Sequence, residues 1–188
     1  MSNYFSYYPK IDYDINDDGN THNVVDITRH FITKRAINDR TAVFYDYDIK
    51  DGDRPDTIAQ KYYGESDYDW VVLLLNNIID PQYDWPLNYR NFEKFIIAKY
   101  GSVATAQSTV HHYERIVRAK QYNTKGDWIK EDIIEVDLTS YNALVAANRK
   151  SVDSYTYEKT VNEAKRSIKL LDKKHLERIL SEAETVFD

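Results

Sequence analysis

The chain has 188 residues, 42% of them hydrophobic and 30% charged, enough for one domain with a core or for a small module carrying arms. Its formal net charge of −6 argues against general nucleic-acid binding, which needs a basic face, and the absence of cysteine removes disulfides and cysteine-based metal sites. Tyrosine dominates the aromatics, 17 against 6 Phe and 3 Trp, and a side chain that buries a ring but keeps a polar tip suits surfaces that close against partners.

The start, "MSNYFSYYPKIDYD", lacks the basic and apolar regions of a secretory signal. The longest apolar run, "WVVLLL" from Trp70 to Leu75, is far short of the ~20 residues a membrane span requires. With no cysteine, the chain fits production in a reducing cytoplasm.

Residues 1–23 carry little helical pattern, and "NDDGN" from Asn16 to Asn20 is turn chemistry. An EF-hand calcium loop needs a Glu at its twelfth position and flanking helices, and counting from Asp12 or Asp14 finds neither. Over residues 24–37, Val25, Ile27 and Phe31 fit alternation while Ile27, Phe31 and Arg35 fit a helix equally well; the extended form is preferred.

"AVFYDYDIK" (42–50) alternates around Phe44, Tyr45, Tyr47 and Ile49 and reads as a strand, stopped by Asp-Gly-Asp. Asp53 is expected to cap the following helix, with Pro55 in its first turn and Asp56 near its positive end. Ile58, Ala59 and Tyr62 make its apolar face and Gly64 closes it. A second helix starts near Asp67, buries Trp70, Val71, Leu74 and Leu75, and ends at Asn76-Asn77. The structural core is therefore placed on Ile49, Ile58, Tyr62, Trp70 and Leu74. Residues 78–88 are expected to be largely irregular, because Pro81 and Pro86 both bar helix continuation. A third helix follows over about 89–100, with Phe92, Phe95 and Ile96 inward and Gly101 as its stop.

Beyond Gly101, "TVHHYERIVRAK" (109–120) and "WIKEDIIEVDL" (128–138) alternate around an "NTKGD" turn, the pattern of an antiparallel hairpin. Residues 140–166 carry helical pattern in parts. "SIKLL" (167–171) alternates Ile168 with Leu170, and Asp172 can cap a final helix bearing Leu176, Ile179, Leu180, Ala183 and Phe187. Val161, Ala164, Ile168 and Leu171 also keep heptad spacing for one long helix, but strand-then-helix is preferred. The fold class is α+β: an extended N-terminal arm (1–41), a βααβ module with a third helix (42–101), and a C-terminal hairpin-plus-helix region (102–188).

Catalytic equipment is scarce. Of the histidines His22, His30, His111, His112 and His175, only His111 and His112 are adjacent, and neighbours on a strand point to opposite faces, so no metal site is expected. The 31 acids make some facing pair inevitable and no pair informative. There is no GxSxG, HExxH or glycine-rich phosphate loop. No catalytic residue, cofactor or metal is assigned.

The succession strand, Gly-Asp turn, helix, helix and asparagine pair is carried by Tyr47, Ile49, Lys50, Gly52 and Asp53 and by "TIAQKYYG" (57–64). It resembles a LysM module, a small βααβ unit often used to bind N-acetylglucosamine polymers. LysM glycan binders are usually repeated and exported, whereas this unit is single and internal. The longer run, with "YYG" (62–64), "WVVLLLNNIIDP" (70–81) and "YDWPL" (83–87), is similar to the baseplate wedge family of contractile-tailed phages, the gene-fifty-three product, which carries a LysM-like domain. "NEAKRSIKLL" (162–171) extends the likeness more loosely.

That resemblance implies a structural part of the virion tail baseplate, made in the host cytoplasm, that joins neighbouring wedges around the tail hub. Its implied partners are other wedge and hub proteins and neighbouring wedge copies, with no nucleic acid or membrane. Groove candidates by the LysM likeness are Gly52, Asp53, Arg54, Asn76, Asn77 and Ile78. The alternative is a peptidoglycan-binding LysM module, the one reading in which glycan is a ligand. The segments outside 42–101 are expected to order fully only against neighbouring subunits.

Overall fold

The computed structural model describes residues 4–29 and 44–185. In chain order the strands are β1 (Lys10–Tyr13), β2 (His22–Val25), β3 (Phe44–Asp48), β4 (Val110–Arg118), β5 (Gln121–Tyr122), β6 (Trp128–Ile129), β7 (Asp132–Val136), β8 (Arg149–Asp153) and β9 (Ser167–Leu171). The helices are α1 (Pro55–Tyr63), α2 (Asp69–Leu75), α3 (Pro81–Asp84), α4 (Tyr89–Tyr100), α5 (Val103–Ser108), α6 (Leu138–Ala143), α7 (Ser154–Ala164) and α8 (Leu176–Thr185). The class is α+β. The described residues gather into two units, one drawn from Met1–Pro86 and Lys165–Asp188, the other from Leu87–Ala164.

In the first unit, β3 pairs antiparallel with β9 from far along the chain, Tyr47 standing opposite Ile168. Hydrogen bonds between Ile49 and Arg166 prolong the ladder by one step, Ile49 N–H donating to the Arg166 carbonyl at 2.9 Å. Alternation then gives β9 two buried faces. Leu171 enters one apolar cluster with Tyr8, Trp70, Val71, Leu75, Leu176, Ile179 and Ala183. Ile168 and Leu170 enter another with Ile49, Ile58, Ala59, Val72 and Trp85. The short α2 likewise faces both clusters, which is why it is apolar nearly all round. Ile49, Ile58 and Trp70 are buried, while Tyr62 and Leu74 are half-buried at the margins. Each fully buried Ile, Leu or Val contributes about 1.5–3 kcal/mol.

Helix α1 starts differently from the sequence expectation. Arg54 holds the cap position, and its N–H donates to Thr57 Oγ1 at 2.9 Å; Asp53 sits one residue too early to cap and instead ties the preceding turn. Gly64, at φ 97°, closes the helix with its N–H on the Ala59 and Gln60 carbonyls. Residues 78–88 are largely irregular, as expected, but Pro81 starts one helical turn within them. It takes the first helical position of α3, where its missing N–H has no bond to lose, and Asp80 caps that turn by accepting from Gln82 N–H at 2.9 Å.

In the second unit, Asn88 caps α4 by accepting from Asn91 N–H at 2.9 Å, and Gly101 ends it at φ 83°. Phe92 and Ile96 pack with Ala106 of α5 and with Tyr155. Phe95, expected inward, is 37% exposed, since the third residue after Phe92 lies past the edge of so narrow an apolar face. The hairpin forms as β4–β7, prolonged by the β5–β6 ladder, and β8 pairs on the other side of β4 to make a three-stranded antiparallel sheet. The buried Asn162 amide accepts from Leu87 N–H at 2.7 Å and donates to the Leu87 carbonyl at 3.0 Å, pinning the unit's beginning to its end. Of the sequence expectations, those on residues 30–43 and on Phe187 lie outside the described residues.

Candidate functional site

The groove candidates divide between two turns. Gly52 sits at φ 84°, beyond the reach of most side-chain-bearing residues, and turns the chain so that Asp53 faces back. The Asp53 carboxylate accepts from Lys50 N–H at 3.0 Å, Tyr47 hydroxyl at 2.8 Å and Lys61 Nζ at 2.8 Å, while the Asp53 carbonyl accepts from Trp85 Nε1 at 3.0 Å. Burial works against ionisation of Asp53, but the Lys61 ammonium, the Tyr47 hydroxyl and the Lys50 N–H outweigh it and hold the carboxyl below its usual range. Burial and the hydrogen bond to Asp53 together push the Tyr47 hydroxyl up to about 12. Arg54 meets Asp56 at 3.2 Å on the exposed side.

The second turn ends α2. Asn76 donates to the Val72 and Lys169 carbonyls, both at 2.8 Å, and accepts from Lys169 N–H at 2.8 Å. Asn77 takes φ 53°, a left-handed value asparagine tolerates, and Ile78 N–H returns to the Leu73 carbonyl at 2.9 Å. The hydrogen bonds of the two turns run to different partners. Of the polar candidates, Asp53 and Asn76 have their side-chain polar atoms committed to the fold.

Two further polar clusters sit in the second unit. The buried Glu158 receives Lys99 Nζ at 2.6 Å and the Tyr100 hydroxyl at 2.9 Å, and hydrogen bonding to Glu158 holds the Lys99 ammonium above its usual range. Around buried Glu114 lie His112 Nε2 at 3.2 Å and Lys150 Nζ at 3.3 Å. His111 and His112 were expected to point apart. A register shift in the β4–β8 ladder between Val110 and His112 brings their Nδ1 atoms to 2.8 Å, with His111 stacked on Tyr157 at 3.7 Å. When Glu114 is ionised, His112 Nε2 must donate to it, so a neutral His112 accepts at Nδ1 from His111. Among the described residues no group of three or more His, Cys, Asp or Glu could hold a metal ion.

The tyrosine excess pointed to partner surfaces without locating them, and the structure shows which aromatics are exposed. Tyr83 is 71% exposed and Tyr89 63% exposed, and the distal end of the hairpin carries Tyr122 and Trp128, both more than half exposed. For the hairpin end, the "NTKGD" turn located the tip but not the exposure of the aromatics beside it. No helix among the described residues is long and apolar enough to cross a membrane.

Polar side chains at the two turns are tied into the fold, and aromatic side chains stand exposed in each unit. The comparisons with known proteins give the chain's family. The sequence matches the family model described as "Base plate wedge protein 53" over residues 3–184, and the chain belongs to that family. A curated relative, "Baseplate wedge protein gp53" of Enterobacteria phage T4, is 26% identical over 188 residues, covering 95% of this chain and 92% of that protein.

Proposed function

We infer that the chain is a structural subunit of a baseplate wedge in a contractile phage tail, resident in the virion and acting by association rather than by catalysis. The observation that carries this is the family match, which runs over residues 3–184 and so spans both units. Its role within the wedge is to join neighbouring wedges around the tail hub, in contact with other wedge and hub proteins. Exposed aromatics on both units support such a role, because Tyr and Trp gather where protein surfaces meet.

Within the first unit, β3, α1, α2 and β9 form a LysM-like βααβ arrangement whose closing strand arrives only after the second unit. What supports this is the antiparallel β3–β9 pairing across the two helices. The internal bonding of Asp53 and Asn76 disfavours the peptidoglycan alternative, because a sugar would have to compete with bonds the fold already makes.

The test is a phage lacking this chain, complemented in trans. Particles grown without it should lack assembled baseplates and regain them on complementation, with the chain detectable at the baseplate by immunogold labelling. Normal baseplates in its absence would overturn the assignment. Retention of the purified chain on peptidoglycan would revive the alternative.

A further inference from the structure

Beyond Arg118 and Asp132, which stand opposite each other in the ladder, the hairpin continues as a projection built on Gln121↔Ile129 and Tyr122↔Trp128. Its turn is rigid. Asn123 Oδ1 accepts from Lys125 N–H and Asp127 N–H, both at 2.8 Å, Asn123 Nδ2 donates to Asp127 Oδ2 at 2.9 Å, and Gly126 takes φ 86°. On this rigid tip Tyr122 and Trp128 are 59% and 55% exposed. Their own unit's core, built on Phe92, Ile96 and Ala106, does not include them. A preorganised, exposed Tyr–Trp pair is the kind of anchor that carries binding energy in protein interfaces.

The charges around that pair are one-sided. Lys120, Lys125 and Lys130 stand on the projection against Asp127, whose carboxylate is held by Asn123, while Glu131 turns to Lys150 at 3.9 Å. No carboxylate among the described residues pairs with Lys120, Lys125 or Lys130. One step below the Gln121↔Ile129 pair the chain carries lysine on both sides, and like charges facing across a hairpin repel. An anionic surface would relieve that repulsion. The chain as a whole is acidic, at −6, so a second copy meets it against a net like-charge repulsion.

The chain's net charge of −6 disfavours a nucleic acid as the partner. Tyr122 lies 3.7 Å from the Trp128 ring centre and Lys120 Nζ lies 4.2 Å from it. Both groups take up part of the indole surface within the tip, and more than half of each aromatic residue remains for contact. A protein surface that receives the two rings in a shallow apolar recess fits the pair.

We propose that the hairpin tip around Tyr122 and Trp128 docks on an acidic patch of a different baseplate protein, with the three lysines framing the contact. This rests on the wedge assignment and names the chemistry of one of its partners.

The test uses assembled particles. A chain bearing p-benzoylphenylalanine at the exposed turn position Thr124 is supplied to phage lacking its own copy, the tails are purified and irradiated, and adducts are mapped by mass spectrometry. The expected adduct joins the tip to another baseplate protein within a segment rich in Asp and Glu. An adduct to a second copy of this chain, to nucleic acid or to a basic segment would overturn the proposal, as would irradiated particles that hold the chain but give no adduct. In parallel, the triple change K120E/K125E/K130E should lower incorporation at least about tenfold, as reversal of framing charges does when it slows association. Lys125→Glu alone, outside every apolar cluster, repeats the test without threatening the fold and should lower incorporation in the same direction. Incorporation of either variant at the unmodified level would also overturn the proposal. If the unmodified chain itself is missing from purified tails, it is the wedge assignment that fails.

Discussion

Asn76 and Lys169 pair as two strand residues would, although one of them contributes only a side chain. Lys169 N–H donates to Asn76 Oδ1 and Asn76 Nδ2 donates to the Lys169 carbonyl, both at 2.8 Å, so the end of α2 serves as an extra rung beside β9. The substitution Asn76→Ala removes these bonds and the one to Val72. It should cost about 1–3 kcal/mol, since three hydrogen bonds are lost and water replaces those to the exposed Lys169 only in part. Urea unfolding decides the matter: a midpoint unchanged from the parent would mean that water replaces the amide freely.

Trp70 joins α2 to the N-terminal segment. It is buried to 4% exposure, with the Tyr4 and Tyr7 rings 5.5 and 5.6 Å away. Trp70→Ala should destabilise the first unit by about 3–5 kcal/mol, as large-to-small changes in a core do. Residues 4–8 should at the same time become open to proteolysis. A variant that melts like the parent would contradict the packing described for α2.

Gly52 has open space where a Cβ would stand, so a substitution there is opposed by backbone conformation alone. Gly52→Asn should be tolerated better than Gly52→Val by about 1 kcal/mol, because asparagine enters the left-handed region far more easily than a β-branched residue. Equal melting temperatures for the two variants would rule out a left-handed turn at this position.

The Asp53 carboxyl titrates below its ordinary range in the folded chain. A group depressed in this way adds stability above its unfolded value of about 4 and loses it as the pH falls through the lower folded value. Asp53→Asn should therefore lie well below the parent in stability at pH 7, and the gap should narrow on descending toward pH 2–3. Urea midpoints at the two pH values measure it. A gap that stays constant would show that the Lys61 pairing contributes nothing that depends on the charge of Asp53.

Elements set by local chemistry were legible in the sequence. Helix α4 begins at Asn88 and stops at Gly101 because a cap and a left-handed glycine mark its ends. Strand β9 was readable from Ile168 and Leu170, though its partner was not, since nothing local in "SIKLL" points to Phe44–Asp48. Strand β8 escaped notice because it is mostly polar. Only Val152 of its five residues is a buried hydrophobic, and its place is fixed by the β4 edge. Helix α5 is six residues long, too short to show a period. Asp53 was misjudged as a cap because Asp is a good one anywhere near a helix start. Its actual position was decided by Tyr47 and Lys61, which converge on it from two other elements. The exposed Tyr122–Trp128 pair could be read only from its burial, which a sequence does not carry.

The pinning of Leu87 by Asn162 bears on how the chain finds its shape. Tyr45 and Asp172, bonded across the ends of the β3–β9 pair, lie 127 residues apart, a long excursion for a small sheet to bridge. The Leu87–Asn162 clasp removes 75 of those residues from the effective loop. What remains is about 50, and the closure penalty falls by roughly 1 kcal/mol, since it grows only with the logarithm of length. On topology alone the contiguous segment, rich in short-range contacts, is expected to condense first and the β3–β9 pair to close more slowly. The three tryptophans are placed to report this separately. Trp128 lies in the contiguous unit, while Trp70 and Trp85 lie in the clusters that β9 completes.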